Sequence, residues 1–308
     1  MSNTNGECEV SQAEVVSAGR PIRFSSRHHI MRAEEVVDLD RYPLLHRPDS
    51  REYQELVARC HGLLQKEGLF QLPGFMRPGA IQNALASQAS MVHQAFYHSR
   101  RHNIFFQDAV PGLPDDHVAL KHFAEPTTNR ILCADQIEGT AVTVLYDWQP
   151  FAKFLACTMH KPALFTMDDR IAGANVVTYH EGDGLNYHFD RAEFTTTLLL
   201  QQPEAGGVFE YCRDLCGSPG RPNAAFVADL LAGVKLPQRC PQAAGTLTVF
   251  CGQNTAHRVT PVKGKQHRIN CVLTFMETPG CRFTAEDHYA FYGRTLGVAA
   301  ANVMNSKL

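Results

Sequence analysis

The first half of the chain carries its apolar residues at helical spacing. In 51–66, REYQELVARCHGLLQK, the residues Leu56, Val57, Cys60, Leu63 and Leu64 share one face, and Gly68 follows as a stop signal. Segment 79–97 predicts a second helix with Ile81, Leu85, Met91 and Phe96 on its apolar side, and 147–160 predicts a third. A Pro- and Asp-rich loop at 108–116 interrupts this half. After about residue 170 the texture changes. GANVVTYH, EFTTTLLLQ, GVFEYC, GTLTVF, AHRVTPV and RINCVLTFM are short β-rich runs separated by EGDG, PEAGG, GQN and VKGK turns. Six such runs with little helix between them predict a β-sandwich or barrel. The 213–243 excursion between them holds the helix-like AAFVADLLAG. The expected organisation is a polar, flexible 1–20, a mainly helical part over 21–165 and a β-barrel core over 166–308. The last two form one fused unit of α+β class.

Hydrophobic residues at 44% and charged ones at 19% supply enough apolar material for a core and exclude the disordered class. A net charge of −2 gives no footprint for nucleic acid or an acidic membrane. No apolar run approaches the ~20 residues of a bilayer span. The ten Cys are scattered through a large chain, and residues 1–10 have neither a basic nor an apolar leader region. A reducing compartment, by default the cytosol, is therefore expected. The 15 His point toward metal or acid–base chemistry.

That chemistry concentrates in Asn186-Tyr187-His188-Phe189-Asp190. In an extended segment residues i and i+2 face the same way, so His188 and Asp190 present an imidazole and a carboxylate together. His257 follows the strand GTLTVF and its GQN turn. Two His and one carboxylate on one side of a metal leave other positions open, the facial-triad arrangement of non-haem Fe(II) oxygenases. Arg268, eleven residues after His257, opens the next strand, where its guanidinium suits capture of a distant carboxylate.

With His188-x-Asp190, His257 and Arg268 in this order, the region 165–280 resembles the Fe(II)/2-oxoglutarate-dependent oxygenase superfamily. The stretch HFDRAEFTTTLLLQQPEAGGVFEY further resembles the branch of carrier-independent amino-acid halogenases and their hydroxylase relatives. The resemblance implies a double-stranded β-helix, a jelly-roll or cupin-like barrel with the helical part packed on it. Fe(II) held by His188, Asp190 and His257 is implied, with 2-oxoglutarate bound by Arg268 and O₂ as oxidant. It also implies hydroxylation of a small molecule, a free amino acid for this branch, with desaturation, cyclisation or a nucleotide substrate as alternatives. Halogenases replace the triad carboxylate with a small residue. Asp190 is present here, which sides with the hydroxylases. Tyr179, nine residues before His188, matches a cosubstrate-binding Tyr of several members. Asn175 shares its strand face, and Thr274 lies six residues beyond Arg268.

Other readings are weaker. A cupin-like site would use Glu193, but position 190 is not His. Arg268-x-Asn270 is similar to the start of the nucleic-acid demethylase element, but no second Arg follows. A non-catalytic relative would have lost a ligand, and all three are present. Cys212-x₃-Cys216 with Cys240 loosely matches half a zinc site. His28-His29 and Ser99-Arg100-Arg101-His102 read as solvated faces or loop contacts, Arg258 as a structural ion-pair partner, and Trp148 as core.

Overall fold

The structure is a computed structural model and describes residues 31–213, 216–218 and 221–296. The expected flexible segment 1–20 and the pair His28-His29 lie outside the described residues. Helix α1, Arg51–Glu67, forms where the pattern places it. Ser50 accepts a hydrogen bond from Tyr53 N at its start, and Gly68 ends it in the left-handed conformation. Its apolar face buries Tyr53, Leu56, Cys60 and Leu64. Helix α2 spans Pro78–Met91 and stops short of the expected 97. A short 3₁₀ turn follows, and Phe96–Arg100 is extended as a strand. The third expected helix is two, α3 (Ala141–Tyr146) and α4 (Gln149–Thr158), with Pro150 in the first turn of α4 where its missing N–H is harmless. Trp148 caps α4 and packs against the main core.

Eleven strands build the barrel. Three come from the part expected to be mainly helical: β1 (Leu69–Leu72), β2 (Phe96–Arg100) and β3 (Thr127–Leu132). The rest are β4 (Ala174–Tyr179), β5 (Leu185–His188), β6 (Thr195–Gln201), β7 (Phe209–Cys212), β8 (Gln238–Cys240), β9 (Leu247–Phe250), β10 (Ala256–Val259) and β11 (Arg268–Leu273). The major sheet has the order β1-β9-β6-β11-β4-β3-β2, and the minor sheet β8-β7-β10-β5. All these pairings are antiparallel. From β4 to β11 the chain crosses back and forth between the two sheets, with β7 and β8 an antiparallel pair inside the minor one, the winding of a double-stranded β-helix.

The period-2 alternation of the major sheet sorts its two faces. Val176, Leu198, Leu200, Leu247, Val249, Ile269, Cys271 and Leu273 point outward and join Phe70, Leu72, Phe151, Phe154 and Leu155 in the large core under the helices. The opposite parity points into the barrel. At one end of the barrel Val177, Tyr179 and Ile131 meet Val259 and Val262 from the minor-sheet side and Tyr292 from helix α6, Ala285–Tyr292. Helix α5, Ala224–Leu231, starts at an Asn223 cap and matches the predicted AAFVADLLAG.

Candidate functional site

His188 ends β5 and His257 sits in β10, and the two are register partners across the minor sheet. Their rings approach to 4.1 Å between centroids. Each Nδ1 is bound to a backbone carbonyl two residues earlier, His188 to Asn186 O at 2.9 Å and His257 to Thr255 O at 2.9 Å. This leaves both Nε2 atoms turned toward Asp190, at 3.2 Å from Oδ1 and 3.4 Å from Oδ2. Such carbonyl bonds set ring orientation and tautomer for metal ligation. One ligand atom from each of the three residues lies within 4.8 Å of the others, and this is the one such group among the described residues. His188 and His257 are buried, and Asp190 keeps partial exposure.

The electrostatics are those of a ligand set. Burial raises the Asp190 carboxyl, but the His257 charge and the bonds from both imidazoles outweigh it and hold the group well below the ordinary carboxylate range. Burial and the neighbouring His257 push His188 down, whereas Asp190 outweighs burial at His257 and raises it. An anionic carboxylate between two imidazoles suits a divalent ion. Rings close the surroundings: Phe250 and Phe209 flank His257 at 4.7 and 5.6 Å, and Phe106 flanks His188 at 5.5 Å.

Four residues that sequence reasoning missed hold this cluster. Thr195 donates its hydroxyl to Asp190 Oδ2 at 2.5 Å. Asp190 N donates to Gly252 O at 3.1 Å, and a Cβ at Gly252 would lie 2.4 Å from Asp190 Oδ2. Thr127 Oγ1 accepts from Asn186 N at 3.0 Å and bonds His102 Nε2 at 2.7 Å. His102, expected on a solvated face or in a loop contact, is buried with its ring edge-on to His188 at 6.5 Å. Burial holds its pKa down to about 4. No local period reveals these residues: Thr195 reaches Asp190 across a five-residue turn, and the others act on partners remote along the chain or through backbone.

Arg268 opens β11, pairs across the sheet with Tyr179, and is 3% exposed. Its Nε donates to Gly207 O at 3.1 Å and one Nη to Gln242 Oε1 at 2.9 Å, while Nη1 has no partner. Its guanidinium carbon lies 5.7 Å from the Tyr179 ring centroid. Burial lowers the Arg268 pKa, and it raises the Tyr179 phenol to about 12, so that hydroxyl stays a donor. A buried guanidinium with no ion-pair partner among the described residues is costly unless a ligand anion completes it.

The remaining predicted residues go elsewhere. Asn175 donates to Ile171 O at 2.7 Å and accepts from Tyr292 at 3.3 Å, so its amide ties down α6, about 13 Å along β4 from Tyr179. Thr274 lies just past the end of β11, about 20 Å from Arg268 along the chain. Its carbonyl accepts from Tyr146 and its N–H donates to Gly173 O. Glu193 pairs with Lys161 at 2.6 Å and takes no place in the cluster, which removes the cupin-like reading. Arg258 is the ion-pair residue expected, bonding the buried Glu210 at 2.7 Å. Cys240 is register partner to Phe209, three residues from Cys212 along β7, so these thiols are not clustered; the Cys216 side chain lies outside the described residues. Among the described residues no helix is long and apolar enough to cross a membrane.

No protein-family model matches the sequence, and no curated protein matches it. Solved structures do. The α-ketoglutarate-dependent carbocyclase SnoK from nogalamycin biosynthesis superposes with TM-score 0.51 and 11% identity, over 80% of this chain and 96% of that one. The α-ketoglutarate-dependent epimerase SnoN from the same biosynthesis gives 0.50 and 13%, over 72% and 81%. A 2OG-Fe(II) oxygenase family oxidoreductase from Burkholderia pseudomallei gives 0.47 and 15%, over 73% and 92%. At such identities the first two likenesses establish the fold, a double-stranded β-helix with added helices.

Proposed function

We propose that this protein is an Fe(II)- and 2-oxoglutarate-dependent oxygenase that hydroxylates a C–H bond of a small molecule, a free amino acid being the favoured class. The observation that carries the reading is the buried His188–Asp190–His257 cluster inside the same barrel as Arg268, a buried cation with an open donor. The donor set fits a divalent first-row metal with open positions, and the unpartnered guanidinium fits the far carboxylate of a dicarboxylic acid. When bound, the metal and 2-oxoglutarate supply O₂ activation and C–H oxidation, with release of succinate and CO₂.

The chain's own residues do the rest. His188 and His257 would ligate through Nε2, their Nδ1 atoms already committed to backbone. Asp190 would ligate through a carboxylate steadied by Thr195. Arg268, held by Gly207 and Gln242, would anchor the cosubstrate with the Tyr179 hydroxyl beside it. Phe209, Phe250 and Phe106 pack apolar rings against the two imidazoles and hold them in place. We take 166–308 as the catalytic core, with 21–165 fused to it in one catalytic unit as helical buttress and as source of three strands of the major sheet. The buried free thiols suit a reducing compartment such as the cytosol. The names of SnoK and SnoN, a carbocyclase and an epimerase, keep cyclisation and related outcomes of the same oxidation within this reading.

The test is a screen of the twenty amino acids and simple nucleotides for stimulated succinate formation under Fe(II) and ascorbate. The proposal expects at least one amino acid to raise succinate yield, with a product one oxygen heavier by mass spectrometry. Because Asp190 fills the position halogenases leave open, hydroxylation should persist in chloride-rich buffer. A dominant chlorinated product would overturn the hydroxylase assignment.

A further inference from the structure

The polar inner face of the major sheet does not end at Arg268 and Tyr179. Arg268 is register partner to Tyr179, and His98 to Asn129. The Arg130–Thr178 pairing puts Asn129 and Tyr179 one step further along the same ladder. His98, Asn129, Tyr179 and Arg268 therefore form one row across β2, β3, β4 and β11, all of inward parity. His98 is 8% exposed and Asn129 5%. Neither ring nitrogen of His98 has a hydrogen-bond partner, and neither does Asn129 Oδ1. Buried polar groups left open in this way call for a partner. None of the roles assigned above uses them.

This end of the row borders the metal cluster. Arg100 is register partner to Thr127, whose Oγ1 bonds His102 Nε2, and the His102 ring meets His188 edge-on. Arg100, the next inward-parity residue of β2, bears on both His98 and His102, is exposed, and makes no ion pair among the described residues. Burial and then Arg100 lower the pKa of His98, which keeps the ring neutral with one N–H donor and one acceptor nitrogen. The open buried atoms are thus the two ring nitrogens of His98, one donor and one acceptor, and the acceptor Asn129 Oδ1, beside the cation of Arg100.

We propose that Arg100, His98 and Asn129 are the substrate anchor, and that they select a small acid carrying an amino or hydroxyl group next to its carboxylate. The carboxylate pairs with Arg100, and the adjacent donor group bonds Asn129 Oδ1 and the acceptor nitrogen of His98. An α-amino or α-hydroxy acid meets all three demands, whereas a simple amine or a neutral sugar meets only part of them. The inference rests on the oxygenase reading and adds which end of the substrate is held and by what.

Calorimetry on the full-length protein with Fe(II) and 2-oxoglutarate, kept anaerobic, tests it. The probes are the twenty L-amino acids, their α-hydroxy counterparts, and the methyl ester of each acid that binds. At least one acid should bind, and its ester should bind roughly tenfold or more weakly, as expected for loss of a charge-assisted contact. R100Q, H98F and N129L should each lower affinity for the acid by a similar factor, with Fe(II) and 2-oxoglutarate affinities unchanged, which also shows that the variants fold. Should H98F fail to fold, R100Q at its exposed position carries the test. No binder in the panel, an ester as tight as its acid, or variants within about twofold of wild type overturns the anchor. The last result is what a pair holding only ordered water would give. Failure of the oxygenase reading is separate: it shows as wild-type protein that binds neither Fe(II) nor 2-oxoglutarate, and the same panel run on metal-free protein reports on the anchor independently.

Discussion

Gly252 has no room for a methyl group, because a Cβ there would sit 2.4 Å from Asp190 Oδ2 and 2.5 Å from Thr195 Oγ1. G252A should push the carboxylate out of line with the two imidazoles and weaken Fe(II) affinity by roughly 10–100-fold, the usual penalty for disturbing the support of a metal ligand. Anaerobic calorimetry checks this, and undiminished affinity would show that Asp190 has other room to move. Arg268 gives a complementary expectation. R268A should weaken 2-oxoglutarate by roughly tenfold to several hundredfold while leaving iron binding in place, as loss of a buried charge-assisted contact implies. An unchanged KM for 2-oxoglutarate would hand that role to another cation. The His188-x-Asp190 pair was legible in the sequence because a strand repeats every two residues, and His257 and Arg268 because each opens or ends a β-rich run. Thr195, Gly252, Gln242 and His102 were not. Gly252, Gln242 and His102 work through partners that only the closed barrel brings near, Thr195 reaches Asp190 across an irregular turn, and a lone polar residue in a loop or strand carries no period to mark it.

Among the elements, α1 is readable from its apolar face and its Gly68 stop, and six of the eight strands β4–β11 from their β-rich runs and turns; β5 and β8 are too short to stand out. The second helix was overdrawn because Phe96 falls in phase with Ile81 and Leu85. The same residue, with His98 and Arg100, also satisfies a period of two, and pairing with β3 decides for the strand. β1 and β3 went unseen because LFQL and TTNRIL are too short or too polar to stand out before their partners are known. Helix α6 is latched by a buried pair, His288 Nε2 to Asp169 Oδ2 at 2.8 Å, with Asp169 also accepting from Ile171, Ala172 and Phe283 N–H groups. Burial raises the Asp169 carboxyl, but these bonds prevail and lower its pKa below the ordinary value. A depressed carboxylate pKa stabilises the fold above the unfolded value of about 4, and that stability is lost as pH falls through the folded one. Thermal melts should therefore show wild type weakening below about pH 4. D169N should be less stable at pH 7, by on the order of 2 kcal/mol, and flatter across the acid range. A D169N melt matching wild type at pH 7 would remove the latch from the account.

At the scale of the molecule, helices cover the outer face of the major sheet, and the minor sheet presents two of the three cluster residues on its inner side. This layering was foreseeable as helices on a barrel, because the two textures divide the chain near residue 170. The contribution of three N-terminal strands to the major sheet was not, since it is settled by long-range pairing such as β1 with β9. One consequence is thermodynamic. Ligands that bind only the folded barrel raise its stability by mass action, about 2.7 kcal/mol at a hundred times Kd. Fe(II) with 2-oxoglutarate should then raise Tm, and chelation should reverse the gain. The most direct test of the central claim is an anaerobic calorimetric titration of Fe(II), then 2-oxoglutarate, into wild type, H188A, H257A and R268A. The account predicts one Fe(II) per wild-type chain, loss of iron in both histidine variants, and an R268A protein that keeps iron but binds 2-oxoglutarate at least tenfold more weakly. Full iron occupancy in H188A and H257A would contradict it.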